Sequence, residues 1–410
     1  MPSVRMDKRD KDRDSRNDPP RSRLRSPLVL AAAAAVIVVA LAVAAVMSKP
    51  RPIHELPTVP DYPPATPAAA PCRLNTVVNG LSLRQKLAQL LMVGVTNLDD
   101  AQTVVRDQEV GGIFIGSWTD LDMLRDGSLH ALQTTPRLLP LAVSVDEEGG
   151  RVQRLKAILG EQLSARELVR QGIPPEQVQA LARDRGRKMK DLGITIDFAP
   201  VVDVTDAPAN TVIGDRSFGS DPDVVTRYGG AYAQGLREAG LLPVLKHFPG
   251  HGRASGDSHK TGVTTPPLSE LATSDLVPYR TLTTAAPVGV MIGHMQVPEL
   301  TGTDPASLST AAYDLLRSGN YGAPPFTGPI FTDDLSSMAA ITERYSVPDA
   351  VLKALQAGAD TALWITTKEV PAVLDRLQQA VDAHELTEAR IDDAVHHMAV
   401  AKDPSLVCTR

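Results

Sequence analysis

Short apolar runs alternate with longer amphipathic segments through most of this chain, and this alternation limits the folds open to it. One amphipathic segment, 221–240, begins with acidic residues and ends at a glycine, as a helix does. Strands and helices that alternate over roughly 330 residues predict an α/β fold, a single (β/α)₈ barrel. A doubly wound open sheet is the structural alternative. The predicted strands are 91–95, 112–116, 139–145, 195–199, 243–246, 289–292, 329–332 and 361–365.

An uncharged apolar segment, 28–47, precedes this body and contains only Ala, Val, Ile, Leu and Met. A 20-residue helix is about 30 Å long, which matches the hydrocarbon core of a bilayer. Arginines on its N-terminal side predict a cytoplasmic basic tail over 1–27 and export of everything that follows. We therefore expect a single-pass membrane protein with an extracytoplasmic body. A cleaved signal peptide, which would give a secreted protein, is the rival interpretation.

The segment between the apolar stretch and the body is rich in proline. Residues 48–73 contain eight prolines, which predict a stiff, extended linker rather than a helix or central strand. Residues 1–27 are strongly charged and poor in apolar groups, so we expect them to be disordered. The body is then predicted to occupy 74–405.

Charge and cysteine content exclude several classes of protein. The net charge is −6, although residues 1–27 carry nine Lys or Arg and five Asp or Glu. The body is therefore acidic, which argues against nucleic-acid binding. The two cysteines, Cys72 and Cys408, flank the body and lack zinc-site spacing, so both a disulfide and two free thiols stay open. We expect the protein to need no metal or organic cofactor. We also expect it to be a monomer.

Ionisable residues follow four of the predicted strands directly or within one residue. They are Asp146, His247, His294 and Asp333. Because the carboxyl ends of barrel strands open on one face, where barrel enzymes have their active sites, these side chains are expected to lie together.

Four segments around these residues resemble one family. They are KHFPGHG (246–252) with DSH (257–259), DEEGGRVQR (146–154), GDRSFG (214–219) and FTDDL (331–335). In this order they resemble the motifs of single-domain bacterial β-N-acetylglucosaminidases of glycoside hydrolase family 3. The resemblance covers about residues 75–400 and implies a retaining exo-glycosidase that releases terminal β-linked N-acetylglucosamine, with peptidoglycan fragments as the physiological source.

The resemblance also implies roles for individual residues. Asp333 would be the nucleophile, since a carboxylate can attack the anomeric carbon and leave again. His259 would be the general acid and base, oriented by Asp257, because an imidazole titrates near neutral pH. The sugar's hydroxyl groups would be bound by ionisable side chains that form charge-assisted hydrogen bonds. These sugar-binding residues would be Asp146, Arg154, Arg216, Lys246, His247 and His294.

The chain departs from the family pattern in places. Arg253 and Ala254 stand where the family usually has aspartate and threonine, so the hydrogen bonds of this loop are expected to differ. We expect the further domains of the larger family members to be absent. A β-glucosidase or β-xylosidase of the same family and a catalytically silent cell-wall-binding barrel are the alternative functions. A metal-dependent hydrolase ranks behind them, and the sequence leaves open whether water or phosphate receives the sugar.

Overall fold

The structure of the protein is a computed structural model that describes residues 73–259 and 262–406. The predicted tail 1–27, the apolar segment 28–47, nearly all of the linker 48–73 and both cysteines lie outside this range. Within the described residues, no helix is both long and apolar enough to cross a bilayer.

Eight parallel strands form the centre of the fold and confirm the predicted barrel. Neighbouring strands pair in the order 7-6-5-4-3-2-1-8. The ring nearly closes between the strands at the two ends of this order, where Phe331 pairs with Thr361 and the backbone N–H of Leu335 donates to Leu363 O at 2.9 Å. The strands are β1 Leu91–Val95, β2 Gly112–Ile115, β3 Ala142–Val145, β4 Ile196–Asp197, β5 Leu242–Phe248, β6 Gly289–Ile292, β7 Ile330–Thr332 and β8 Ala362–Trp364.

All eight predicted strands are present, although two of them are three residues shorter than expected. The run 139–145 is a strand only from Ala142 onward, because Pro140 has no N–H for a ladder. The run 195–199 pairs as a strand only at Ile196–Asp197, although the Phe198 N–H still donates to Val145 O at 2.8 Å. Short strands outside the barrel are Glu147–Gly149, Val152–Gln153, Val263–Thr264 and Met295–Gln296.

Helices surround the strands, as an α/β barrel requires. The segment predicted over 221–240 forms Pro222–Glu238, and the Asp221 carboxylate caps its N-terminus by accepting the Asp223 N–H at 2.9 Å. The α-helices are Arg73–Asn79, Leu83–Gln89, Leu98–Asp107, Asp122–Arg125, Ser128–Gln133, Lys156–Leu159, Ala165–Arg170, Pro175–Asp191, Pro222–Glu238, Leu268–Leu271, Val277–Leu282, Thr310–Ser318, Ala339–Thr342, Val347–Ala357, Val370–Asp382 and Glu388–Lys402. The 3₁₀ helices are Gly214–Arg216, Ala306–Leu308 and Pro404–Leu406.

Two apolar layers hold the barrel together. The inner layer fills the space inside the strands with side chains such as Met92, Phe198 and Phe331, and the outer layer lies between strands and helices. Phe198 and Phe331 pack edge to face with ring centroids 5.5 Å apart. Because the interior is filled, a ligand can enter only from above the strand ends.

Candidate active site

A cavity of about 490 Å³ opens above the carboxyl ends of the strands. Phe114, Met291 and Leu363, which are buried residues of β2, β6 and β8, contribute apolar surface to it. Eight of the nine side chains predicted for the site line this cavity. They are Asp146, Arg154, Arg216, Lys246, His247, Asp257, His259 and Asp333.

Asp333 is placed by the end of β7 and the turn that follows it. One of its carboxylate oxygens accepts the backbone N–H of Asp334 at 2.8 Å. The Asp334 carboxylate instead accepts hydrogen bonds from the backbone N–H and hydroxyl of Ser336 and from the hydroxyl of Ser337. Asp334 therefore caps its own turn, whereas Asp333 has little local bonding to satisfy it.

Asp257 and His259 lie on the segment after β5 and form a pair. Nδ1 of His259 is 2.9 Å from Oδ1 of Asp257, which also accepts the backbone N–H of His259 at 3.0 Å. A carboxylate beside Nδ1 favours a proton on that nitrogen, so Nε2 is left to face a ligand. The His259 side chain is 56 % exposed, which places it at the cavity mouth.

An alternating series of charges surrounds the buried ammonium of Lys246 beneath the cavity. This ammonium lies 2.6 Å from Asp146 Oδ1 and 2.6 Å from Glu148 Oε1. The guanidinium of Arg216 donates two hydrogen bonds to Glu148, each of 2.8 Å. Arg154 approaches the other oxygen of Asp146 at 3.4 Å, and its buried Nε has no hydrogen-bond partner among the described residues. The network holds several donors and acceptors in fixed positions beside the cavity.

Glu148 belongs to this network but was not among the predicted site residues. It lies two positions after Asp146 in an extended segment, so both side chains point to the same side. That spacing was the sequence signal that would have identified it.

A second network fixes His247 through a carboxylate. Asp203 is fully buried, and its Oδ2 lies 2.7 Å from Nδ1 of His247. Its Oδ1 accepts the backbone N–H groups of His247 at 3.3 Å and His251 at 2.7 Å. Nε2 of His247 points toward Arg216, at 3.4 Å from the guanidinium. Asp203 thus orients one cavity side chain and the start of the segment that carries His259.

The surroundings of Asp333 favour its charged form. Burial raises the pKa of Asp333, whereas the neighbouring His294 and His247 lower it. The backbone N–H of Asp334 and the ammonium of Lys246 act in the same direction, and the net result is a pKa of Asp333 well below its usual range. A carboxylate kept ionised is suited to a nucleophile.

Burial also acts on the charged network. It disfavours charge on Glu148, yet Arg216 and Lys246 more than compensate, so the pKa of Glu148 lies far below its ordinary value. Burial likewise disfavours the ammonium of Lys246, and the carboxylates of Asp146 and Glu148 reverse this and raise its pKa. Glu148 and Lys246 are therefore both charged at neutral pH.

His294 requires a correction, because the structure places it beneath the cavity wall. The side chain is fully buried and does not line the cavity. Its Nε2 lies 2.7 Å from Asp334 O and its Nδ1 lies 2.6 Å from the Ser307 hydroxyl. The carbonyl can only accept, so Nε2 carries a proton. Burial lowers the pKa of His294, and the two contacts hold the ring against the turn after β7.

The two tryptophans differ in position. Trp118 is 40 % exposed and lines the cavity, with its ring centroid 5.9 Å from that of Phe114. A Cβ on Gly116 would lie 2.4 Å from the indole, so this position must be a glycine for the ring to fold back. Trp364 is fully buried and belongs to the core.

Arg253, which departs from the family pattern, forms an ion pair with Asp275 in this loop. Its guanidinium donates to Asp275 Oδ2 from Nε at 3.0 Å and from a terminal nitrogen at 2.7 Å. Gly250 and Gly252 allow the close approach of the chain, since an added Cβ would lie 2.5 Å from Asp275 and 2.2 Å from Val204 O. The loop is therefore fastened to Asp275 by the ion pair with Arg253.

Within the part of the chain that the structure describes, one group of side chains has atoms close enough to hold a metal ion, and it lies away from the cavity. Asp360, Asp393 and His397 come together where Asp360 precedes β8, at the opposite end of the strand. Arg317 and Arg390 already neutralise Asp360. These ion pairs identify the group as a structural clamp.

Comparison with known proteins identifies the family of this chain. The profile described as "Glycosyl hydrolase family 3 N terminal domain" matches residues 82–401. The chain belongs to glycosyl hydrolase family 3. Beta-hexosaminidase LpqI of Mycobacterium tuberculosis is 64% identical over 354 residues, which cover 85% of this chain and 91% of that protein. A beta-hexosaminidase of Thiobacillus denitrificans is 32% identical over 329 residues, covering 78% and 88%.

Solved structures of family 3 proteins share the fold. A glycosyl hydrolase of the family from Mycobacterium smegmatis has a TM-score of 0.79 and 67% identity, covering 80% of this chain and 99% of that one. A family 3 beta-N-acetylglucosaminidase from Paenibacillus has a TM-score of 0.72 and 32% identity, covering 78% and 62%. The predicted family is thus confirmed.

Proposed function

We propose that this family 3 chain is a retaining β-N-acetylhexosaminidase that removes non-reducing terminal N-acetylglucosamine. The observation that carries the proposal is one cavity that holds an ionised carboxylate, Asp333, together with an imidazole, His259, backed by Asp257. Relatives that are 64% and 32% identical carry the name beta-hexosaminidase, which supports the same activity.

In the first step, Asp333 attacks the anomeric carbon as the bond to the leaving oxygen breaks. His259 donates the proton on Nε2 to that oxygen, and Asp257 stabilises the imidazolium by accepting the hydrogen bond from Nδ1. The product is a glycosyl ester on Asp333. Because the imidazole is at the cavity mouth, the leaving group departs toward solvent.

In the second step, a water molecule takes the place of the leaving group. His259, now neutral at Nε2, accepts a proton from the water as its oxygen attacks the anomeric carbon, and Asp333 leaves as a carboxylate. Two inversions at the same carbon retain the β configuration.

The fixed charges beside Asp333 would bind the sugar. Asp146 can accept hydrogen bonds from hydroxyl groups, and Lys246, Arg154, Arg216 and His247 can donate them. Ion pairs hold most of these side chains in place, so little ordering is needed on binding. The unpartnered Nε of Arg154 is one donor that a ligand would satisfy.

We further propose that the catalytic body acts as a monomer outside the cytoplasmic membrane on peptidoglycan fragments. The support is the 20-residue apolar segment 28–47, the arginines before it and the proline-rich linker after it. Fractionation of cells that express the full chain or residues 48–410 tests the anchor. Activity should follow the membrane only for the full chain.

The Asp333→Ala variant tests the activity, with Asp334→Ala as the adjacent control. On an aryl β-N-acetylglucosaminide, we expect Asp333→Ala to lose several orders of magnitude in kcat and to retain part of its binding. Asp334→Ala should lose less, because that carboxylate bonds to its own turn. The matching aryl β-glucoside tests the 2-acetamido preference, and faster turnover of the glucoside would contradict the proposed substrate.

A further inference from the structure

Ser258 lies between the two members of the proposed acid–base pair but faces the other way. Asp257 and His259 line the cavity, whereas the Ser258 side chain is fully buried. A serine in an exposed loop has no need of burial, since its hydroxyl is well solvated in water. Its burial therefore calls for a partner inside the protein.

The partners of Ser258 belong to two separate walls of the site. Its hydroxyl is hydrogen bonded to Nε2 of His251 at 3.0 Å, and its carbonyl oxygen accepts the Ala340 N–H at 3.3 Å. His251 is joined to Asp203 through its backbone N–H at 2.7 Å, and Asp203 also orients His247. Ala340 belongs to the segment that follows Asp333 and Met338 along the cavity. Ser258 thus connects the acid–base pair to two walls of the site. One wall carries His247, a proposed sugar-binding residue, and the other carries the nucleophile Asp333.

We propose that the hydrogen bond between Ser258 and His251 is a latch that positions His259 over the glycosidic oxygen, which makes Ser258 a positioning residue for proton transfer. The proposal rests on the proposed function, because it assigns Ser258 an effect only through His259. Since the segment from Pro249 to His259 must reach back over the cavity, two attachments at Ser258 fix the position of the residue on either side of it.

The state of His251 suits a permanent latch. The ring is buried, and burial together with the nearby His247 lowers its pKa to about 4. The ring therefore stays neutral over the range in which a glycosidase with an imidazole acid is assayed. The strength of the latch should not change with pH in that range.

The test compares substrates that need the acid with substrates that do not. We expect Ser258→Ala to lower kcat/KM about tenfold for a sugar or alkyl aglycone, since loss of a buried hydrogen bond has that order of effect. For a 2,4-dinitrophenyl glycoside, whose leaving group needs no proton, kcat/KM should change by less than about twofold. In a His259→Ala background, the added Ser258→Ala change should have no effect on either substrate.

Two further variants make the result decisive. His251→Phe removes the same hydrogen bond from the other side and should give the same dependence on the leaving group. Ser255→Ala is the matched control, because Ser255 is in the same loop but, among the described residues, its hydrogen bonds are to the Thr264 N–H at 3.0 Å and the Thr264 carbonyl at 2.8 Å. The Ser255→Ala variant should leave the dependence of kcat/KM on the leaving group unchanged.

Each outcome has one meaning. Equal losses on both substrates, or losses that multiply in the His259→Ala background, would overturn the latch and leave Ser258 as a purely structural residue. If His259→Ala alone shows no dependence on the leaving group, the acid role fails, and with it the proposed function. The two failures are therefore distinguishable.

Discussion

Replacing Glu148 by glutamine removes one negative charge from the centre of the buried network and barely changes its shape. The carboxylate lies between Arg216 and Lys246 with contacts of 2.6–2.8 Å, and its side chain is 3% exposed. In the variant, both cations remain buried with Asp146 as their remaining carboxylate in this network. An uncompensated buried charge is costly because the interior cannot solvate it as water does.

The expected loss of stability follows from this burial. Removing one partner of a buried ion pair costs about 3–5 kcal/mol. An unfolding entropy of roughly 2.1 cal/mol/K per residue over about 330 residues then converts this loss into a Tm lower by roughly 4–7 °C. We also expect kcat/KM to fall about 10- to 100-fold, since Lys246 and Arg216 are no longer fixed beside the sugar.

Thermal unfolding and steady-state kinetics on an aryl β-N-acetylglucosaminide provide the assay. The control is Glu385→Gln, the same change at a carboxylate that is 45% exposed and pairs with Arg376 at 2.9 Å. Its Tm should stay within about 1 °C of the parent, because exposed ion pairs contribute little. If both variants unfold at the same temperature, the argument from buried charge is refuted.

Other predictions concern the cavity mouth, the far end of the barrel and metal dependence. Trp118→Ala should lower kcat/KM about tenfold for a disaccharide and less than twofold for a glycosyl fluoride. The reason is that the exposed indole can stack only on an aglycone that has a ring. Equal losses on the two substrates would refute this role of Trp118. Burial, with a smaller effect of Arg137, lowers the pKa of Lys402 to about 7. The unfolded chain then binds more protons than the folded one between about pH 7 and 10, so the free energy of unfolding should rise with pH there. In urea titrations at several pH values, Lys402→Met should lack this contribution to the rise. Treatment with a chelator should leave activity unchanged, and a loss restored by zinc would favour the metal-dependent alternative.

The sequence predicted the barrel well because each strand is a short apolar run between turn or helix signals. Residues such as Asp333 and His247 could be placed on one face because they follow those runs. The exact ends of strands were less predictable. Proline and local pairing shortened the third and fourth strands, and these effects depend on hydrogen bonds to neighbouring strands.

The site was predictable in its composition but not in the direction of every side chain. His294 follows β6 as expected, yet its ring turns beneath the cavity because it donates a hydrogen bond to the carbonyl of Asp334 and is hydrogen bonded to the hydroxyl of Ser307. Those partners lie 13 and 40 residues away, so no local pattern reveals them. The contact of Arg253 with Asp275 is likewise a product of tertiary structure.

The central claim is that Asp333 forms a covalent bond to the sugar while His259 serves as acid and base. The most direct measurement is mass spectrometry of the peptide that carries the label after reaction with a 5-fluoro N-acetylglucosamine derivative that has an activated leaving group. Fluorine beside the ring oxygen destabilises the positively charged transition states, and the good leaving group lets the glycosyl ester accumulate. The account predicts one sugar attached at Asp333. A label on Asp334, or complete turnover of the reagent with no label on the protein, would contradict it.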